Sequence, residues 1–133
     1  MTLLTSELVA QLRANRMARL AALDRGDREP DPRPVVRLFN PVGAATWLAT
    51  EIDDDGILFG LADLGFGCPE LGSFGLAELE AIRLPFGLTI ERDLHFTASH
   101  PLSAYAEAAR AAGSIVLGEQ RLRRAADRLA GRR

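Results

Sequence analysis

Between Val35 and Asp63 the chain carries three β-rich segments split by two short turns, and no other stretch limits its fold so firmly. VVRLF (35–39) is dense in β-branched and aromatic residues, side chains that pack well on a pleated surface. Asn40-Pro41-Val42-Gly43 supplies turn residues, and ATWLATEI carries a second strand to Ile52. Asp53-Asp54-Asp55-Gly56 then precedes a third strand, ILFGLAD. Its Asp-Gly pair sits where a hairpin needs a residue able to take positive φ, so an antiparallel pair is expected.

Helices are expected at both ends of this meander. Ser6 and Glu7 open a pattern with Leu8, Val9, Leu12 and Leu20 on or near one face, ending near Leu23. Prolines at 30, 32 and 34 remove backbone donors and favour an extended connector within one domain. Further on, LAELEAI (76–82) reads as a short internal helix, broken by Pro85-Phe86-Gly87. LTIERDLHF (88–96) alternates apolar and polar residues, the pattern of a half-buried strand. Pro101 suits a first helical turn, Gly113 a stop, and a last helix runs through RLRRAADRLA. The expected fold is α+β: one domain over 1–133, an antiparallel sheet of about four strands flanked by N- and C-terminal helices, with one short internal helix.

At 133 residues, with 47% hydrophobic and 26% charged residues, the composition is that of a globular chain and favours neither disorder nor a fibrous class. No apolar run approaches the ~20 residues of a membrane-spanning helix, and MTLLTSELVAQLRANR lacks the basic start and cleavage site of a signal peptide. A cytoplasmic compartment is expected, and a single cysteine agrees with it. The net charge of −2 is unevenly spread. Residues 41–100 hold two arginines against ten acids, a balance of −8, whereas 101–133 hold seven arginines against three acids, a balance of +4. All sixteen basic residues are arginine.

The series GAATWLATEI, ILFGLADLGFGCPELG, LAELEAIRLPFGLTIERDLHF and PLSAYAEAA resembles an uncharacterised bacterial family, domain of unknown function 2958. The resemblance covers roughly 34–112, with 113–133 as a helical tail outside it, and its ordered glycine, PELG and ERD elements carry it. It implies a small protein carried by plasmids, phages and integrated mobile elements, sometimes near anti-restriction and DNA-transfer functions. No activity or catalytic residue comes with it.

Motif by motif, shape outweighs chemistry. Gly65-Phe66-Gly67 lacks the third glycine of a dinucleotide fingerprint, and a chain without lysine has no GxxxxGK[ST] loop. Asp53 to Asp55 are contiguous, and Leu64 stands where a calcium loop needs its closing glutamate. Cys68 has acidic surroundings that disfavour thiolate, so a small buried residue before Pro69 is the expected role. Trp47, placed on a strand face with Ala49 and Glu51, is expected in the core. Phe66 has few neighbours to hide behind, so two roles stand equally open: an exposed loop aromatic beside acids that suits a protein contact, and a simple anchor of the loop into the core.

Three function classes follow, the first preferred. A non-catalytic accessory module of mobile genetic elements would bind an unidentified protein partner, as a counter-defence protein of anti-restriction or anti-CRISPR type. Its contact would combine the glycine-rich loop from Asp63 to Gly75, displaying Phe66 and Glu70, with Asp53, Asp54 and Asp55. The second is a metal-assisted hydrolase using Glu91, Asp93 and His95, which an extended strand would place on one face at intervals of about 7 Å. The third is nucleic-acid binding through Arg121, Arg124 and Arg128. Glu119 and Asp127 interrupt that basic stripe, each within four-residue reach of Arg123, and the acidic middle would repel DNA. A solvated helix or a homo-oligomer surface is the preferred role for the tail. No cofactor and no membrane contact are expected.

Overall fold

The computed structural model describes residues 3–131, so the outermost positions of the expected domain, 1–2 and 132–133, lie outside the described residues. A first helix, α1 (Ser6–Arg25), precedes strands β1 (Val36–Phe39), β2 (Thr46–Ile52), β3 (Ile57–Asp63) and β4 (Glu70–Gly75). Then come α2 (Leu76–Ala81), a 3-10 turn at Pro85–Gly87, a two-residue strand β5 (Glu91–Arg92), and the helices α3 (Leu102–Ala112) and α4 (Ile115–Ala130). The five strands form one antiparallel sheet in the order β4-β3-β2-β1-β5.

Local chemistry explains the helix limits. Thr5, one residue earlier than expected, caps α1 by accepting from the Leu8 amide, and Gly26 closes the helix in the left-handed region. Ser114 caps α4 in the same way, accepting from Leu117 N–H at 3.1 Å. Asp31, from the proline-rich connector, accepts from the Ser103 amide and hydroxyl and so satisfies a free donor in the first turn of α3.

Helices cover both faces of the sheet, and every residue of β2 is buried. On one face Leu12 of α1 and Leu79 of α2 pack with Leu38, Trp47, Ala49, Ile52 and Leu58. On the other, Leu102, Tyr105, Ala106 and Ala109 of α3 and Ile115 of α4 pack on Leu48 and Leu61. Trp47 is thus a core residue. Five leucines, at 12, 38, 48, 58 and 61, are wholly buried, each worth about 1.5–3 kcal/mol. No helix of the described residues is long and apolar enough to cross a membrane.

Two parts of the sheet differ from the sequence reading. The PELG end of the glycine-rich stretch is not loop: Glu70–Gly75 is an edge strand paired residue for residue with β3, from Ala62↔Glu70 to Ile57↔Gly75. The expected strand over 88–96 shrinks to Glu91–Arg92. Ile90 is buried in the α1-side core and Phe96 packs on the α3-side core, so this segment crosses the sheet edge and leaves Leu94 74% exposed.

Candidate functional site

The loop over 64–69 is held from below by one buried side chain. Asp63, at the end of β3, is 1% exposed. Its Oδ1 accepts from Gly65 N–H and its Oδ2 from Ile115 N–H, both at 2.9 Å. A single carboxylate therefore fixes the start of the loop and the first residue of α4, where the helix dipole favours a negative charge. Gly65 and Gly67 adopt φ of +92° and +84°, a region that side-chain-bearing residues rarely enter, and between them Phe66 is turned outward. Phe66 is 82% exposed.

Other apolar side chains gather at this end of the sheet. Leu64 is on the same loop, Val42 on the β1–β2 turn, and Val116 and Leu117 on the first turn of α4, all exposed. The turn and the loop touch, since a Cβ on Gly65 would stand 3.2 Å from the Ala44 Cβ. The turn and the helix share a hollow of about 360 Å³ lined by Phe39, Gly43, Ala44, Val116 and Leu117. The result is an exposed apolar end with a projecting aromatic ring and, at the start of β4, the exposed Glu70.

The acidic positions proposed for the same contact do not all belong to it. Asp63 is interior and its carboxylate is already bonded, so it supports the loop instead of meeting a partner. Asp53, Asp54 and Asp55 occupy the β2–β3 hairpin at the opposite end of β3, a strand of seven residues and so about 20 Å long. There Asp53 Oδ1 accepts from the amides of Asp55 and Ile57 at 2.9 Å each, shaping the turn, while Asp54 and Asp55 are exposed. Cys68 is exposed, not buried, with Pro69 taking the interior position beside it.

Glu91, Asp93 and His95 do not share a strand face, because β5 ends at Arg92. Asp93 turns the chain, accepting from the His95 amide at 3.0 Å and approaching Arg37 at 3.6 Å. Among the described residues no group of three or more His, Cys, Asp or Glu side chains is placed to hold a metal ion. His100 meets Ser99 Oγ at 2.7 Å and stacks edge-on against Tyr105, so it belongs to a different cluster.

Two ion-pair systems escaped the sequence reading. Arg37 of β1 grips Glu119 of α4 through two parallel bonds of 2.9 Å, Nε to Oε2 and Nη2 to Oε1, and both side chains are mostly buried. Glu119 is thereby committed to the sheet and not to Arg123 along its own helix. On the far side Arg19 Nε donates to Glu51 Oε2 at 2.8 Å, and Glu29 lies 3.8 Å from its Nη1. The hydrogen bond to Glu51 raises the Arg19 pKa further above its ordinary value, and burial opposes it only in part. Arg121, Arg124 and Arg128 line one exposed stripe of α4 with Asp127 among them. Beyond Leu122 every described residue of α4 is exposed, including the apolar Ala125, Ala126 and Leu129.

No curated protein and no solved structure matches the chain. A family model does, over residues 3–116, a wider span than the 34–112 of the resemblance that takes in α1 and the start of α4. The chain belongs to the family described as protein of unknown function (DUF2958).

Proposed function

We propose that this protein is a non-catalytic binding module that engages another protein through the apolar end of its sheet. The observation that carries the reading is the presentation of Phe66: an aromatic ring 82% exposed, on a loop whose base is pinned by a buried carboxylate. Exposing so much apolar surface lowers solubility and gains nothing for the isolated fold. Carried on a backbone whose base is fixed, the ring offers a partner a large apolar area at one point, as the aromatic anchors of protein interfaces do. Val42, Leu64, Val116 and Leu117 supply the surrounding apolar area, and Glu70 a charge at its rim.

The mobile-element setting implied by the family resemblance makes a host or element-encoded protein the partner class, with restriction or CRISPR machinery as the target of a counter-defence role. The test is affinity capture from lysates of a bacterium that carries the element, comparing wild type with Phe66→Ala and Glu70→Ala. Both positions are exposed, so both variants are expected to keep the wild-type melting temperature. A partner retained by wild type should be lost by Phe66→Ala and weakened by Glu70→Ala. Equal recovery of every partner by all three proteins would refute the assignment.

A further inference from the structure

A hollow of about 610 Å³, independent of Phe66, opens at the β5 edge of the sheet between α2 and the segment 89–94. The acidic stretch 41–100 holds two arginines, Arg83 and Arg92, and both line this hollow. Arg92 pairs with Leu38 across β5 and β1, so the two side chains share the face covered by α1 and α2. Glu91 pairs with Phe39, and strand alternation gives its side chain to the opposite face. Arg83 follows α2 and is exposed; its Nη1 donates to the carbonyls of Glu80 at 3.0 Å and Ile82 at 3.2 Å, which fixes it over the end of the helix. Among the described residues neither arginine forms an ion pair. Arg92 Nε is moreover the one buried side-chain nitrogen or oxygen among them that has no hydrogen-bond partner.

A buried donor left without an acceptor costs about 1–3 kcal/mol, and more on a charged group. The isolated chain therefore carries an N–H that an acceptor from outside would satisfy. The Nε edge of a guanidinium presents two parallel donors, Nε and one Nη, spaced to take both oxygens of a carboxylate. Since Nε is closed to solvent, engagement includes a rotation of the flexible Arg92 stem that turns this edge into the hollow. Beside it the wall is apolar: Ile90 is buried in the core below, and Leu94, 74% exposed, stands at the rim near Ala77. Two arginines and two acids, Glu80 and Glu91, line the hollow, a balance of zero. Glu80 is already engaged, its Oε2 accepting from Leu3 N–H at 2.8 Å. A balanced wall with one unsatisfied cation suits a monoanion better than a phosphate ester, which is close to a dianion at neutral pH. The volume falls within the range of small-molecule sites, about 300–1,000 Å³.

We propose that this hollow binds a small monocarboxylate with an aliphatic body, its carboxylate accepting from Arg92 Nε and Nη and its hydrocarbon lying against Ile90 and Leu94, with Arg83 as a second cation at the rim. The test is an NMR titration of the full chain with hexanoate, hexanol, acetate and hexyl phosphate, following backbone amides and the arginine Nε–H resonances. Hexanoate should shift the Arg92 Nε–H signal, identified by its loss in Arg92→Met, together with the amides of Thr89 to Leu94. Hexanol, acetate and hexyl phosphate should each bind at least about tenfold more weakly. Arg92→Met should lose hexanoate binding while melting no lower than wild type, because the orphaned donor goes with the charge. Leu94→Asp, an exposed change that sets a carboxylate at the rim, should weaken hexanoate about tenfold at an unchanged melting temperature, and it keeps the test valid where Arg92→Met fails to fold. Hexanol binding as tightly as hexanoate would overturn the carboxylate, acetate doing so would overturn the apolar contact, and tighter binding of hexyl phosphate would overturn the monoanion. Undiminished binding to Leu94→Asp would overturn the location. No shift with millimolar hexanoate would overturn the whole proposal.

Discussion

Replacing Asp63 by alanine removes the one side chain that ties the loop at 64–69 to α4, and the cost can be worked out bond by bond. Two backbone donors lose a charged acceptor at 2.9 Å. Gly65 is exposed, so its N–H turns to water and the loss is that of an ordinary solvent-accessible hydrogen bond, about 1 kcal/mol. Ile115 is 1% exposed, and its orphaned amide carries the desolvation penalty of a buried group, about 2–3 kcal/mol. The sum, about 3–4 kcal/mol, is a substantial share of the 5–15 kcal/mol typical of a single domain. Urea unfolding followed by circular dichroism should show this loss as a lower midpoint with an unchanged slope. Asp63→Asn keeps the shape but supplies only one acceptor oxygen, and should cost about half as much. Asp55→Ala, on an exposed turn position, should stay within about 0.5 kcal/mol of wild type. An Asp63→Ala protein destabilised by less than about 1 kcal/mol would refute the pinning argument.

Other consequences are equally direct. The β2–β3 register shifts between Ala49 and Glu51, a bulge that Gly60 faces. Gly60→Ala drives a methyl group into the Leu48 carbonyl, so the bulge must move, and a loss of about 2–4 kcal/mol in urea unfolding is expected; a neutral outcome would contradict the bulge. Removing either member of the Arg37–Glu119 pair should cost about 2–4 kcal/mol, whereas Arg37→Met with Glu119→Leu should lie within about 1 kcal/mol of wild type. A double-mutant cycle that shows no coupling would contradict the paired geometry. Phe86, 93% exposed at φ +64°, packs on little, so Phe86→Gly should be neutral or stabilising by up to about 1 kcal/mol; a marked loss of stability would show an interior role.

The sequence made the meander from Val36 to Asp63 readable because β-branched runs and an Asp-Gly turn act locally, and the turn glycine, Gly56, takes φ +78° as that reading requires. β4 was hidden because glycine weakens strand propensity, while the hydrogen bonds that make Glu70–Gly75 a strand come from β3, a non-local partner. In LTIERDLHF the alternation was real, but Asp93 competes for the backbone by accepting the His95 amide, and the strand stops. The flanking glycines left Phe66 either an exposed tip or an anchor into the core, and its 82% exposure decides for the tip. The support of its loop by Asp63 was not legible, since the bond to Ile115 spans 52 positions. Nor could alternation place Glu51, because a one-residue bulge reverses every later side chain on the strand.

The central claim is that a fixed apolar end, led by Phe66, meets a protein partner. Hydrogen-exchange footprinting of the captured complex tests it most directly. The account predicts protection over 64–70 and at Val116 and Leu117, beyond that of the free chain, and loss of both complex and footprint in Phe66→Ala. Protection confined to Arg121–Arg128 of α4, with the loop exchanging as in the free protein, would contradict it.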